Sequence, residues 1–194
     1  MRRIALFLSL ALCLAAVPGA YAQRTLPGMR SVELRAGMAD GWYSSSGRST
    51  TGYYFGAAIG RYARNVSKWV AGAEYLCRNY AYRTGSIPIA QFTAEGSYYY
   101  KFFADGSKTF YLYLGGSALA GYETVNWSKK RLYDGATLLS RDRFLYGGAV
   151  TLEADAYITD RIVFFLSGRE RVLWGTTTGH FHTQFGVGIK FILD

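Results

Sequence analysis

The chain has 194 residues and a formal net charge of +9, and it carries 17 tyrosines and 23 glycines against 3 prolines. This length fits one domain, and the composition suits a long-stranded β protein while arguing against a disordered tail. With only 2 cysteines, Cys13 and Cys77, a disulfide framework and a cysteine-cluster metal or redox motif are both excluded.

Residues 1–22 read as an export signal. Arg2 and Arg3 precede an apolar run from Ile4 to Val17, then Pro18-Gly19, then the small-x-small site Ala20-Tyr21-Ala22. The run is shorter than the roughly 18 apolar residues of a membrane anchor. Leu12 also stands before Cys13, where a lipoprotein would carry a small residue. Cleavage after Ala22 is expected to leave residues 23–194 as a single β-barrel domain. It removes Arg2 and Arg3 and no acid, so the charge of +9 becomes +7, and Cys77 becomes the lone thiol.

Beyond the signal, eight segments alternate with the period of two that sends successive strand side chains to opposite faces. They are predicted at 32–38, 53–60, 68–76, 91–101, 110–123, 150–158, 162–171 and 181–193. In the first, Val32, Leu34, Ala36 and Met38 oppose Glu33, Arg35 and Gly37; in the last, Phe181, Phe185, Val187, Ile189 and Phe191 oppose His182, Gln184 and Lys190. The seventh is mixed, because Val163 and Phe165 share a face with Arg169 and Arg171. The connections are predicted to alternate long and short, the short ones being 61–68, 103–108 and 159–161. Antiparallel strands in even number, with short turns on one side and long loops on the other, describe an eight-stranded up-and-down barrel of the outer-membrane type.

Trp42, Trp127 and Trp174 each fall beyond a strand rising to the long-loop side, and Trp69 starts a strand on the other side. Such placement suits aromatic girdles at the membrane–water boundaries. Alternation alone leaves open a soluble, lipocalin-like periplasmic binding barrel, which is the same pattern turned inside out. Export, the aromatics at strand ends and the terminal strand favour the membrane. Phe185, Ile189 and Phe191 resemble the aromatic-rich closing strand of outer-membrane barrels.

Eight strands enclose a lumen just wide enough for side chains to fill. The inward set then includes Glu74, Glu95, Glu153, Asp155, Arg169, Arg171 and Lys190. Buried charges are tolerable when paired and hydrogen-bonded, so these residues are expected to form an ion-pair network plugging the barrel, with an ion pathway or ligand site as the competing reading. Catalytic chemistry lacks support: no serine lies in a nucleophile motif, and His180 and His182 have no cysteine or carboxylate at ligand spacing beside them. No cofactor is implied. Lys129, Lys130, Arg131, Arg141 and Arg143 crowd the longest loop, where a solvated loop is the default.

The stretches "LYLGGSALAGYETVN" (112–126) and "LYDGATLLSRDRFLYGGAVTLEADAYITDRI" (132–162) resemble the TraO proteins of conjugative transposons, together with "QRTLPG" (23–28) and "GIKF" (188–191). The resemblance covers most of the mature chain. It implies a component of a conjugative DNA-transfer apparatus whose partners are outer-membrane lipid and other transfer proteins, and it brings no catalytic residue. A side-chain-filled lumen is too narrow for DNA, so the expectation is an anchoring or assembly role in the cell outer membrane, without direct nucleic-acid binding. A general surface barrel with binding loops is the alternative.

Overall fold

The computed structural model describes residues 26–40, 52–82, 85–128, 142–177 and 179–193. Eight strands form a closed antiparallel barrel in chain order: β1 (Arg30–Ala39), β2 (Gly52–Tyr62), β3 (Lys68–Tyr82), β4 (Gly85–Ala104), β5 (Phe110–Val125), β6 (Arg143–Tyr157), β7 (Ile162–Trp174) and β8 (Phe181–Leu193). The barrel shuts where Arg30 of β1 pairs with Leu193 of β8. Both ends of the strand circuit therefore lie on the side of the short connections 63–67, 105–109 and 158–161. Among the described residues no helix is long and apolar enough to cross a membrane, which leaves the strands to be judged on their own.

All eight predicted strands are present, but the loop pattern needs correction. The third connection, expected to be long, is strand: β3 and β4 stay paired from Cys77↔Ala90 out to Tyr82↔Gly85. Pro88 and Gly85 read as turn residues in the sequence. Pro88 is accommodated because β5 joins β4 only from Ile89 onward, so among the described residues no strand pairs with the outer part of β4 on that side. Likewise β6 starts at Arg143, because Gly147 and Gly148 hide the alternation while leaving the ladder to β5 intact.

The orientation of the two faces decides between the membrane and soluble readings. Leu34, Met38, Phe55, Ile59, Phe92, Leu114, Val150 and Phe185 are exposed, while Glu33, Arg35, Glu74, Glu95, Glu153 and Lys190 are buried. The apolar face therefore points out and the charged face points in, which is the reverse of a lipocalin-like barrel. A monomer in water would not leave so large a continuous apolar belt uncovered.

Inside, aromatic rings pack over inward glycines. The Tyr99 ring sits where a Cβ on Gly115 would approach to 2.6 Å, Tyr54 covers Gly37 and Gly186, and Phe165 covers Gly188. The missing side chains leave the space these rings fill. In the turn after β2, Val66 adopts φ +64°, a left-handed conformation that is costly for a β-branched residue. Its side chain packs against the apolar floor of the barrel.

Candidate functional site

The lumen is built in layers from the short-turn end. The floor is apolar and aromatic: Tyr62, Tyr111, Tyr113, Tyr157, Val163 and Ile192 form one buried cluster. This explains the mixed face of β7, since Val163 joins that floor and Phe165 is buried against the Lys190 ammonium, while Arg169 and Arg171 point into the lumen.

On the floor rests a lysine–carboxylate layer. Glu153 and Asp155, two residues apart on β6, face the same way. Lys190 Nζ lies 2.5 Å from Glu153 and 2.7 Å from Asp155. Lys68 Nζ lies 2.6 Å from Glu153, 3.4 Å from Asp155 and 3.8 Å from Glu33. The ammonium groups also sit over rings, Lys68 at 4.6 Å from the Tyr113 centroid and Lys190 at 4.4 Å from that of Phe165. Such contacts add to the attraction of the carboxylates.

Above it lies an arginine–glutamate layer. Glu95 pairs with Arg35 of β1 and accepts from Arg169 Nη1 at 2.7 Å. Arg169 also donates from Nε to Thr151 Oγ1 at 3.0 Å and approaches Glu74 at 3.5 Å. Glu74 accepts from Arg171 Nη1 at 2.9 Å and from Gln184 Nε2 at 2.8 Å. The bridges join β1, β3, β4, β7 and β8 across the lumen, so the layer ties opposite walls together.

The outer mouth holds a third group. Asp40 pairs with Arg78, lies 2.7 Å from His182 Nδ1 and accepts from the Thr183 backbone at 2.9 Å. Glu123 accepts from Gln91 at 2.7 Å and from the Thr177 backbone and hydroxyl at 3.0 and 2.6 Å. His182 therefore pins the β7–β8 connection to the end of β1, and its Nε2 lies 3.2 Å from the Gly179 carbonyl oxygen. His180 Nδ1 lies 3.0 Å from the Leu173 carbonyl oxygen. Among the described residues no three His, Cys, Asp or Glu side chains converge on a common point.

Glu74, Glu95, Glu153, Asp155, Arg169 and Arg171 are thus all buried inside the barrel, but they divide between two layers. The sequence-derived set omitted Arg35 and Lys68, which supply one cation to each layer, and also Glu33, Asp40, Arg78, Glu123 and Gln184. The available signal was strand parity, because Arg35 and Lys68 already stood opposite apolar residues.

Trp69 is the second residue of β3, is 62% exposed and lies with its ring centroid 4.7 Å from that of Tyr98. Trp127 follows β5 in a short 3-10 turn, and Trp174 closes β7 stacked 6.1 Å from Tyr146. Trp42 lies outside the described residues, as do Lys129, Lys130, Arg131 and Arg141. Arg143 is exposed at the start of β6.

An antiparallel barrel of eight strands, apolar outside and charged inside, defines the class of small outer-membrane-type β-barrels. The chain belongs to the family of conjugative transposon protein TraO, which matches residues 26–193. No curated protein sequence matches the chain. Its fold is similar to Ail, the attachment invasion locus protein of Yersinia pestis, with TM-score 0.58 and 10% identity over 87% of this chain and 100% of that one. It is also similar to Neisserial surface protein A, with TM-score 0.55 and 12% identity over 84% and 96% of the two chains. The N-terminal β-barrel domain of Pseudomonas aeruginosa OprF follows at TM-score 0.50 and 13% identity, over 86% and 99%.

Proposed function

We propose that the chain, after removal of residues 1–22, is an outer-membrane barrel of a conjugative DNA-transfer apparatus. Its role there is structural: it anchors or assembles other transfer proteins and is not itself the DNA conduit. The observation that carries the reading is the pairing of an inverted barrel, apolar outside and ion-paired inside, with membership of the TraO family. A lumen crossed by salt bridges at several levels and floored by packed tyrosines offers DNA no path. Transfer then depends on what the barrel presents at its two rims.

In this reading Trp69 marks the inner membrane boundary, while Trp42, Trp127 and Trp174 mark the outer one, since amphipathic rings prefer the interface. Glu74, Glu95, Glu153, Asp155, Arg169 and Arg171 hold the lumen shut. The protein needs no cofactor, catalyses no reaction and contacts lipid and partner proteins in place of nucleic acid.

Clean deletion of the gene tests the role. Mating frequency should fall while donor growth is unchanged. Shortening residues 127–142 probes contacts outside the cell, and substitutions in the 63–68 turn probe docking on the periplasmic side, with immunoblots of barrel abundance to separate loss of role from loss of folding. Transfer unchanged by the deletion would refute the assignment and promote a general surface barrel.

A further inference from the structure

The short-turn rim carries a charge arrangement that the barrel itself does not explain. Arg30 of β1 and Arg61 of β2 are direct cross-strand partners, and both are exposed on the outward, apolar face. Like charges placed opposite each other on one face of an antiparallel pair destabilise it. Neither arginine has an ion-pair partner among the described residues. The next residue in register beyond Arg30 is Leu193, and the next beyond Arg61 is Trp69. Trp69 in turn pairs with Tyr98, and the two rings are in contact. Two outward arginines thus occupy directly opposed positions at the end of an apolar belt, flanked by exposed aromatic residues on one side and an aliphatic residue on the other.

Each feature of this patch matches one part of a phospholipid. Guanidinium groups present planar forks of N–H donors that fit phosphate oxygens, and a phosphate placed between two of them removes their mutual repulsion. Trp and Tyr rings favour the glycerol and headgroup level of a bilayer. The outward apolar residues farther up the same strands, Leu34 and Ile59, would lie along acyl chains. The lysines of the lumen cannot serve this purpose, because Lys68 and Lys190 are buried and committed to carboxylates.

We infer that Arg30, Arg61 and Trp69 form a binding site for the phosphodiester headgroup of an anionic glycerophospholipid at the short-turn rim. The inference rests on the membrane reading above and adds to it a lipid of stated charge at a stated place. The bound anion also offsets the like-charge repulsion where the β1–β2 pairing begins, next to the seam with β8. Attraction of a basic side chain to an anionic membrane surface is on the order of fivefold in affinity per arginine, so losing both should remove most of the discrimination between lipids.

The test uses the mature protein, refolded separately into vesicles of phosphatidylcholine alone and of phosphatidylcholine mixed with phosphatidylglycerol. Protease protection and heat-dependent gel migration report insertion, and native mass spectrometry after transfer to detergent reports which lipid is retained. Wild type should insert into both vesicles and retain phosphatidylglycerol in preference to phosphatidylcholine by roughly tenfold or more. The double substitution Arg30→Gln, Arg61→Gln should insert equally well and lose that preference, whereas Arg143→Gln at the opposite rim should keep it. Equal retention of the two lipids by wild type, or unchanged preference in the double variant, would overturn the site while leaving the membrane barrel standing. Failure of wild type to insert into either vesicle would overturn the barrel reading and the site with it.

Discussion

The lysine layer and the arginine layer of the lumen solve the same problem with different completeness. In the lower layer, Lys190 spreads its donors over one oxygen of Glu153 and both oxygens of Asp155. In the upper layer several buried polar atoms lack a hydrogen-bond partner: Arg35 Nε, Arg171 Nε and Nη2, Gln184 Oε1 and Glu74 Oε2, which has only the longer ion-pair contact to Arg169. The cause lies in the groups themselves. An ammonium has three donors to satisfy and can rotate them freely, whereas a guanidinium has five in a rigid fork. Three arginines facing two glutamates therefore cannot all be saturated. What the arginines supply in exchange is reach, since Arg169 alone touches Glu74 of β3, Glu95 of β4 and Thr151 of β6.

The sharpest way to test this contrast is to remove one member of the saturated layer. Lys190→Leu leaves Glu153 and Asp155 to share Lys68 in a buried site, and breaking a buried pair costs about 3–5 kcal/mol. Urea unfolding of the refolded barrel in detergent micelles should show the largest loss of any single substitution there. Arg171→Leu should cost less, roughly 1–2 kcal/mol. It removes one bond to Glu74 but also deletes two unpaired donors, while Gln184 and Arg169 remain beside the carboxylate. Equal losses for the two variants would mean that the layers do not differ.

A solvent-exposed carboxylate supplies the lower bound. In the turn between β4 and β5, the Ser107 hydroxyl and the Gly106 amide hold the Asp105 carboxyl below the usual aspartate range. A depressed folded value means that the contribution is present above the ordinary aspartate pKa and fades as pH falls through the folded one. Asp105→Ala should therefore shift the unfolding midpoint least of the three variants, and its small effect should vanish in acid. A loss matching that of Lys190→Leu would show that unfolding reports turn closure and not the lumen.

The parts of this architecture that could be read from the sequence are those governed by parity. Glu74, Glu95, Glu153 and Asp155 each alternate with apolar neighbours, so the strand period places them on one face, while the mixed face of β7 blurs the signal for Arg169 and Arg171. That this face turns inward needed the export signal and the aromatic strand ends besides. Which acid meets which base did not follow. Arg35 and Glu95 are 60 residues apart and Lys68 and Glu153 are 85 apart, and their meeting depends on the stagger of strands around the barrel, which no local pattern records. The division into a lysine layer and an arginine layer emerges only with closure. The β3–β4 extension was hidden for a different reason, because Gly85 and Pro88 carry turn signals in a hairpin whose outer part is not paired by β5, which tolerates them.

The central claim, that the lumen is sealed by its own side chains, is tested most directly by electrical recording across a planar lipid bilayer containing the purified, refolded barrel. A lumen floored by Tyr62, Tyr111, Tyr113 and Tyr157 and crossed by the lysine and arginine layers should give no sustained conductance at moderate voltage, and Lys190→Leu should be the substitution most prone to brief openings. A stable, long-lived open channel in the wild-type protein would contradict the account.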